Sequence, residues 1–149
     1  MNDKRYVLSV GALVWNEAGR LLLLRRASSS KHFAGEWEPP GGKALTGEEA
    51  GMTVLREVRE ETGLEVELDA VAGAVEFELP LLRVAVLYFH AHADTGIPRV
   101  SAEHEDLRWV NPAEINSMNL TEPFNRLVCQ HNPLMRPNDD GKAGIAQPK

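Results

Sequence analysis

A Pro39-Pro-Gly-Gly42 stretch running into a glutamate-rich segment constrains this chain more than any other feature. Thr46-Gly-Glu-Glu49 has the Thr-x-x-Glu pattern of a capping box, and Gly63 supplies a left-handed stop, so the spacing predicts a helix over 47–62. Glu57, Glu60 and Glu61 then fall at i, i+3 and i+4, which places three carboxylates on one helix face. Like charges at that spacing cost about 0.2–0.5 kcal/mol per pair. A solvated acidic face is the ordinary reading of such a helix. Here the helix follows directly on a glycine loop, and its turns interlock with apolar positions such as Val54 and Val58. Hard oxygen ligands on a rigid element are what Mg²⁺ or Mn²⁺ requires. A cation there would relieve the repulsion and turn an acidic patch into a polyphosphate site.

The rest of the chain supplies strands. Tyr6–Trp15 and Leu21–Leu24 flank an Asn/Gly turn and read as a β-hairpin. Ala27–Ala44 reads as a long loop, and a loop that long in a compact domain is usually functional. Strand-like runs follow at Val71–Leu79, Leu82–His92 and Leu107–Val110, and Pro112–Asn116 opens a helical turn. Thr121-Glu-Pro-Phe124 looks like an N-cap with proline in the first turn of a helix reaching roughly His131. This gives one domain over 1–132 and a mobile tail over 133–149.

Charge narrows the partners. Gly47–Glu67 holds seven glutamates against two arginines, a net −5 within a chain of net −6. Such a surface repels a nucleic-acid backbone, so duplex nucleic acid is not expected as a partner. No apolar run approaches a membrane span, and the first residues lack the apolar stretch of a signal peptide, so a cytoplasmic protein is the expectation. The single cysteine, Cys129, excludes an internal disulfide and is expected to be a buried small hydrophobe. Trp15 and Trp109 are expected in the core, whereas Trp37 either walls a pocket or stacks on a base.

From Gly42 to Leu64 the sequence resembles the Nudix box, G-x5-E-x7-R-E-U-x-E-E-x-G-U with U aliphatic. Gly42, Glu48, Arg56, Glu57, Val58, Glu60, Glu61, Gly63 and Leu64 match every defined position. The resemblance implies an α+β fold, a Nudix-type α/β/α sandwich with a mixed β-sheet. It also implies hydrolysis of a nucleoside diphosphate linked to another moiety, with Mg²⁺ or Mn²⁺. In that reading Glu57, Glu60 and Glu61 hold the cations, and Gly41 and Gly42 let the backbone approach a metal or phosphate closely. Arg56 fixes a carboxylate by charge-assisted hydrogen bonds. Glu48 either takes part or simply complements the helix dipole.

Over roughly residues 5–130 the chain is similar to the MutT-type branch. That similarity implies Arg26 as a phosphate contact and His32 as a residue at the nucleotide, with Glu38 and Lys43 also matching. It implies an extra metal ligand or general base from Glu103-His-Glu-Asp106, Glu103 first and Glu105 second. Where the branch carries a base-reading asparagine this chain has Thr121, which cannot form the same bidentate pattern. Pro39 replaces a phenylalanine, Leu45 a commonly acidic residue, and Pro80 stands at a position associated with ADP-ribose-cleaving members. The leading expectation is a nucleoside triphosphate pyrophosphohydrolase giving the monophosphate and pyrophosphate. An ADP-ribose or nucleotide-sugar pyrophosphatase stays open, as does a catalytically idle nucleotide-sensing module. The partners expected are a small nucleotide and no membrane, with a homodimer left open.

Overall fold

The computed structural model describes residues 3–130. The chain runs β1 (Arg5–Trp15), β2 (Leu21–Arg26), β3 (Trp37–Glu38), β4 (Gly41–Lys43), α1 (Ala50–Thr62), β5 (Glu67–Glu78), β6 (Leu82–His92), β7 (His104–Val110) and α2 (Glu122–Gln130). The seven strands form one mixed sheet in the order β3-β2-β1-β6-β5, with β4 pairing β1 and β7 pairing β2. α1 packs on one face and α2 on the other, the α+β sandwich that the sequence resemblance implied.

Alternation along the strands builds both layers. Leu21 and Leu23 join Leu13 and Trp15 against Phe124 and Leu127 of α2, while Leu22 and Leu24 join Val10, Ala12 and Val14 against Val54 and Val58 of α1. A strand covered on both faces reads as an unbroken apolar run, which is why Leu21–Leu24 is four leucines, all fully buried. Burying each contributes about 1.5–3 kcal/mol relative to leaving it exposed.

Several expectations need correction. The hairpin exists in sequence but is splayed in space: β1 and β2 pair only at Trp15↔Leu21. β1 instead runs parallel to β6 from Arg5↔Leu82 to Trp15↔His92, and β2 pairs with β7. The Ala27–Ala44 loop contains β3 and β4, and β5 and β7 begin earlier than expected, at Glu67 and His104. The helix begins at Ala50 rather than 47, and its N-cap is Glu49 with no side-chain cap. The Thr46 capping box therefore does not form. Glu48, expected in the first turn, lies before the helix and accepts hydrogen bonds from the Leu45 N–H and the Thr53 hydroxyl. Gly63 does take the left-handed conformation (φ 78°) and donates its N–H to the Arg59 carbonyl.

Cys129 is exposed on α2, contrary to the buried role expected of it. Trp15 is buried and Trp109 packs, partly buried, against the α1-side core. Trp37 belongs to the α2-side core, with the Arg25 and Arg108 guanidinium groups over its ring, so it neither walls the pocket nor is free to stack on a base. The domain end at 132 and the tail over 133–149 fall outside the described residues.

Candidate active site

α1 carries its glutamates to the sheet through two glycines. At Gly42 an added Cβ would stand 2.7 Å from Glu57 Oε1 and closer still to the rest of the carboxyl, so the absent side chain is what makes room for it. At Gly41 an added Cβ would meet backbone, 2.9 Å from Gly11 Cα, because β4 lies tightly on β1. The Gly41 N–H donates to Glu61 Oε1 at 3.0 Å, and the Gly42 carbonyl accepts from the Ser9 hydroxyl at 3.0 Å.

Arg56 ties the acidic groups together. Its Nε and Nη2 grip Glu48 at 2.8 and 3.0 Å, a bidentate pair, and Nη2 also reaches the Lys43 carbonyl. Nη1 donates to Glu57 at 3.1 Å and to Glu60 at 3.2 Å. The guanidinium holds the Glu48 carboxyl well below the usual range, at about 2. Glu48 lies before the helix rather than in its first turn, and its carboxylate is held by Arg56.

Glu61 behaves in the opposite way. It is 6% exposed, and burial pushes its carboxyl up to about 9 against the help of the Gly41 N–H. The negative charges of Glu38, Glu57 and Glu103 add to the rise. Glu57 is also raised, chiefly by burial, with Arg56 opposing and Glu60 and Glu103 adding to it. Carboxyls crowded and buried in this way fit a divalent cation, whose charge would offset the cost of ionising them, and the donors are all hard oxygens. The three α1 carboxylates are not drawn to a single point. Mg²⁺ binds through one or two carboxylates and retains several waters, so this spread suits it. Among the described residues, three ligand atoms fall within 4.8 Å of one another only at Glu67, His92 and Asp94. That group, with Glu67 and Asp94 exposed and His92 half-buried, lies where β5 begins and β6 ends, away from the site.

Beside the glycines opens a cavity of about 220 Å³. Arg26, His32, Glu38, Gly41, Gly42 and Thr121 all line it, together with apolar Pro39, Phe77, Leu79, Val84, Val86 and the ring of Tyr88. Arg26 donates Nε to the His32 carbonyl at 2.8 Å and Nη1 to Glu38 at 2.9 Å. The His32 side chain is exposed, so its backbone rather than its ring holds Arg26. The two acids of the downstream segment separate. Glu103 shares the field of Glu57 and Glu61, whereas Glu105 pairs with Arg25 at 3.0 Å and accepts from the Ser28 N–H at 2.8 Å. Sequence reasoning passed over His104 between them, whose Nε2 lies 3.0 Å from Glu38. Pro80, exposed, sits in the tight β5–β6 turn closed by Leu79 and Leu82.

The profile of the NUDIX domain family matches residues 5–130. A MutT-like protein of Streptomyces ambofaciens is 36% identical over 73% of this chain and 66% of its own length. A putative 8-oxo-dGTP diphosphatase 2 of Mycobacterium tuberculosis is 34% identical over 75% of this chain and 77% of its own. The crystal structure of a MutT protein from Methanosarcina mazei superposes with a TM-score of 0.79 at 38% identity, over 85% of this chain and 93% of that one.

Proposed function

This chain belongs to the Nudix family, in its MutT-like branch, a hydrolase acting on phosphoric anhydrides; from that premise we propose that it cleaves nucleoside triphosphates to the monophosphate and pyrophosphate. One observation carries the choice of substrate. Gly41 and Gly42 form a wall of the apolar cavity, and the same two residues hold Glu61 and make room for Glu57. A base seated among Phe77, Pro39 and Val86 therefore directs its phosphate chain over that wall toward α1. The 8-oxo-dGTP diphosphatase and MutT names of the relatives favour the same substrate class.

The residues divide the work. Glu57, Glu60 and Glu61, with the Gly41–Gly42 backbone, would hold Mg²⁺ or Mn²⁺. When bound, such a cation neutralises phosphate oxygens and acidifies water. Arg56 keeps Glu57 and Glu60 oriented and itself stays anchored on Glu48. Arg26 is pre-positioned by the His32 carbonyl and Glu38, and its Nη2 has no hydrogen-bond partner among the described residues, leaving it for a phosphate oxygen. Glu103, in the field of Glu57 and Glu61, takes the proton of the attacking water. Thr121, buried at the start of α2, contributes one hydroxyl to reading the base.

The test is a substrate panel with Mg²⁺: nucleoside triphosphates, ADP-ribose, dinucleoside polyphosphates and nucleotide sugars. Triphosphates should give the highest kcat/KM, with pyrophosphate as a product. A preference of at least about tenfold for ADP-ribose, worth ~1.4 kcal/mol in the transition state, would overturn the reading. Absence of turnover on every member would favour the nucleotide-sensing module.

A further inference from the structure

We propose that His104 is a positioning residue that fixes the Glu38–Arg26 pair for phosphate binding. Its side chain is fully buried, with a relative exposure of 0%, yet among the described residues it has only one polar partner. Nε2 lies 3.0 Å from Glu38 Oε2, and Nδ1 is buried with no hydrogen-bond partner among the described residues. A side chain present for packing alone would be better served by an apolar group of the same volume, which strands no nitrogen. The tautomer with its proton on Nε2 donates to Glu38 and leaves Nδ1 only a lone pair, the cheaper of the two ways to leave it unpaired.

Three neighbouring strands bring the group together. β2 lies between β3 and β7; Glu38 is the register partner of Leu24, and His104 that of Arg26. All three side chains consequently leave the sheet on one side. Glu38 Oε2 accepts from Arg26 Nη1 at 2.9 Å and from His104 Nε2 at 3.0 Å. If Arg26 tilts toward a phosphate, Glu38 would otherwise be a partly buried carboxylate with no donor, in the field of Glu61. His104 remains as that donor, so Glu38 holds its place and Arg26 moves against a fixed partner. The same backbone is tied down next door, where the Ala27 N–H donates to the Glu103 carbonyl at 3.1 Å.

The inference rests on Arg26 being the phosphate anchor, and the experiment separates its failure from that of the triphosphate reading. Wild type is first run on the substrate panel, and His104 variants are then compared on whichever substrate it turns over best. A preference for ADP-ribose therefore refutes the triphosphate reading and still leaves the His104 comparison readable. His104→Gln can place an amide N–H near the Nε2 position, whereas His104→Asn is too short and His104→Leu has no donor. Expected is KM within about threefold of wild type for Gln and raised about tenfold or more for Asn and Leu, with kcat much less affected. In a Glu38→Gln background the penalty of His104→Leu should shrink to less than about threefold. Thermal midpoints report folding, and either short variant suffices if the other does not fold. Equal KM for Gln and Asn, or an undiminished penalty in the Glu38→Gln background, would show that His104 merely packs.

Discussion

The two adjacent glycines of the site should respond to the same substitution in opposite ways. The nearest atoms a methyl group at Gly42 would meet are the far end of the Glu57 side chain, which can rotate away. Gly42→Ala therefore loses the Arg56 Nη1–Glu57 hydrogen bond, a cost of about 0.5–1.5 kcal/mol in stability. It also moves a carboxylate out of the proposed metal site, and loss of one such preorganised charge lowers kcat by about 10²–10³. A methyl group at Gly41 meets the Val10 and Gly11 backbone, 3.0 Å from the Val10 carbonyl carbon, where nothing can swing aside. Gly41→Ala must push β4 off β1 and weaken the Gly41–Glu61 bond, so overpacking of about 1–3 kcal/mol or more is expected. Urea denaturation and steady-state hydrolysis with Mg²⁺ measure both quantities on both variants. Gly42→Ala should be folded and nearly inactive, and Gly41→Ala visibly destabilised. Wild-type turnover by Gly42→Ala would refute the assignment of Glu57 to the machinery. A greater loss of stability in Gly42→Ala than in Gly41→Ala would refute the packing argument.

Further outcomes follow from the same geometry. Glu60→Gln and Glu61→Gln should each lower hydrolysis by at least about a hundredfold while remaining folded, since the amide is isosteric with the carboxyl; unchanged turnover in both at saturating metal would place the ligands elsewhere. Glu61 has its folded pKa raised from 4.5 to about 9, so the stability it lends the metal-free protein is complete below pH 4.5 and is lost as pH rises toward 9. The metal-free melting temperature should accordingly fall across that window, and Glu61→Gln should flatten the fall; identical slopes would contradict the burial of this carboxyl. Chelator should abolish turnover and Mg²⁺ or Mn²⁺ restore it, with full activity in excess chelator the opposing result. Arg26→Ala should cost ~1.5–3 kcal/mol, roughly 10- to 150-fold in kcat/KM for a triphosphate, and an unchanged value would remove Arg26 from the phosphate site.

What was legible in the sequence was local. The α1 glutamates keep their places on one helix face because a 3.6-residue period needs no knowledge of the rest of the chain. β6 runs from Leu82 to His92, as its nearly continuous apolar run implied, because one face, with Val84, Val86 and Tyr88, is buried and the other, with Ala85, Leu87 and Phe89, is half-buried. The hairpin failed for the complementary reason. β1 and β2 are adjacent in sequence and pair at one position, while β1 finds its long partner in β6, more than sixty residues away. Nothing in either segment records that choice. The capping box failed because the helix starts at Ala50 with Glu49 at its N-cap, which leaves Thr46 three residues too early to cap it. Glu48, which lies between them, is held instead by Arg56, Thr53 and Leu45, a network whose members are only assembled once α1 exists.

The acidic segment before β7 shows how one residue of register decides which side chain reaches the site. Leu24 pairs with Leu107 and Arg25 with Asp106, but Arg26 pairs with His104, so the ladder skips Glu105 as the extra residue of a bulge. Counting back in twos from Leu107 along a regular strand lands on Glu105, which would then face the same side as Leu24 and Arg26. The bulge replaces it with His104. Glu105 is released to Arg25 and the Ser28 N–H, and Glu103 is left adjoining the α1 carboxylates. Bulges beside active sites commonly re-aim side chains in this way, and no composition or spacing rule marks their position in advance. Two glutamates that the sequence only ranked, Glu103 before Glu105, are thus divided by one unpaired residue, and the histidine between them becomes the group that touches Glu38.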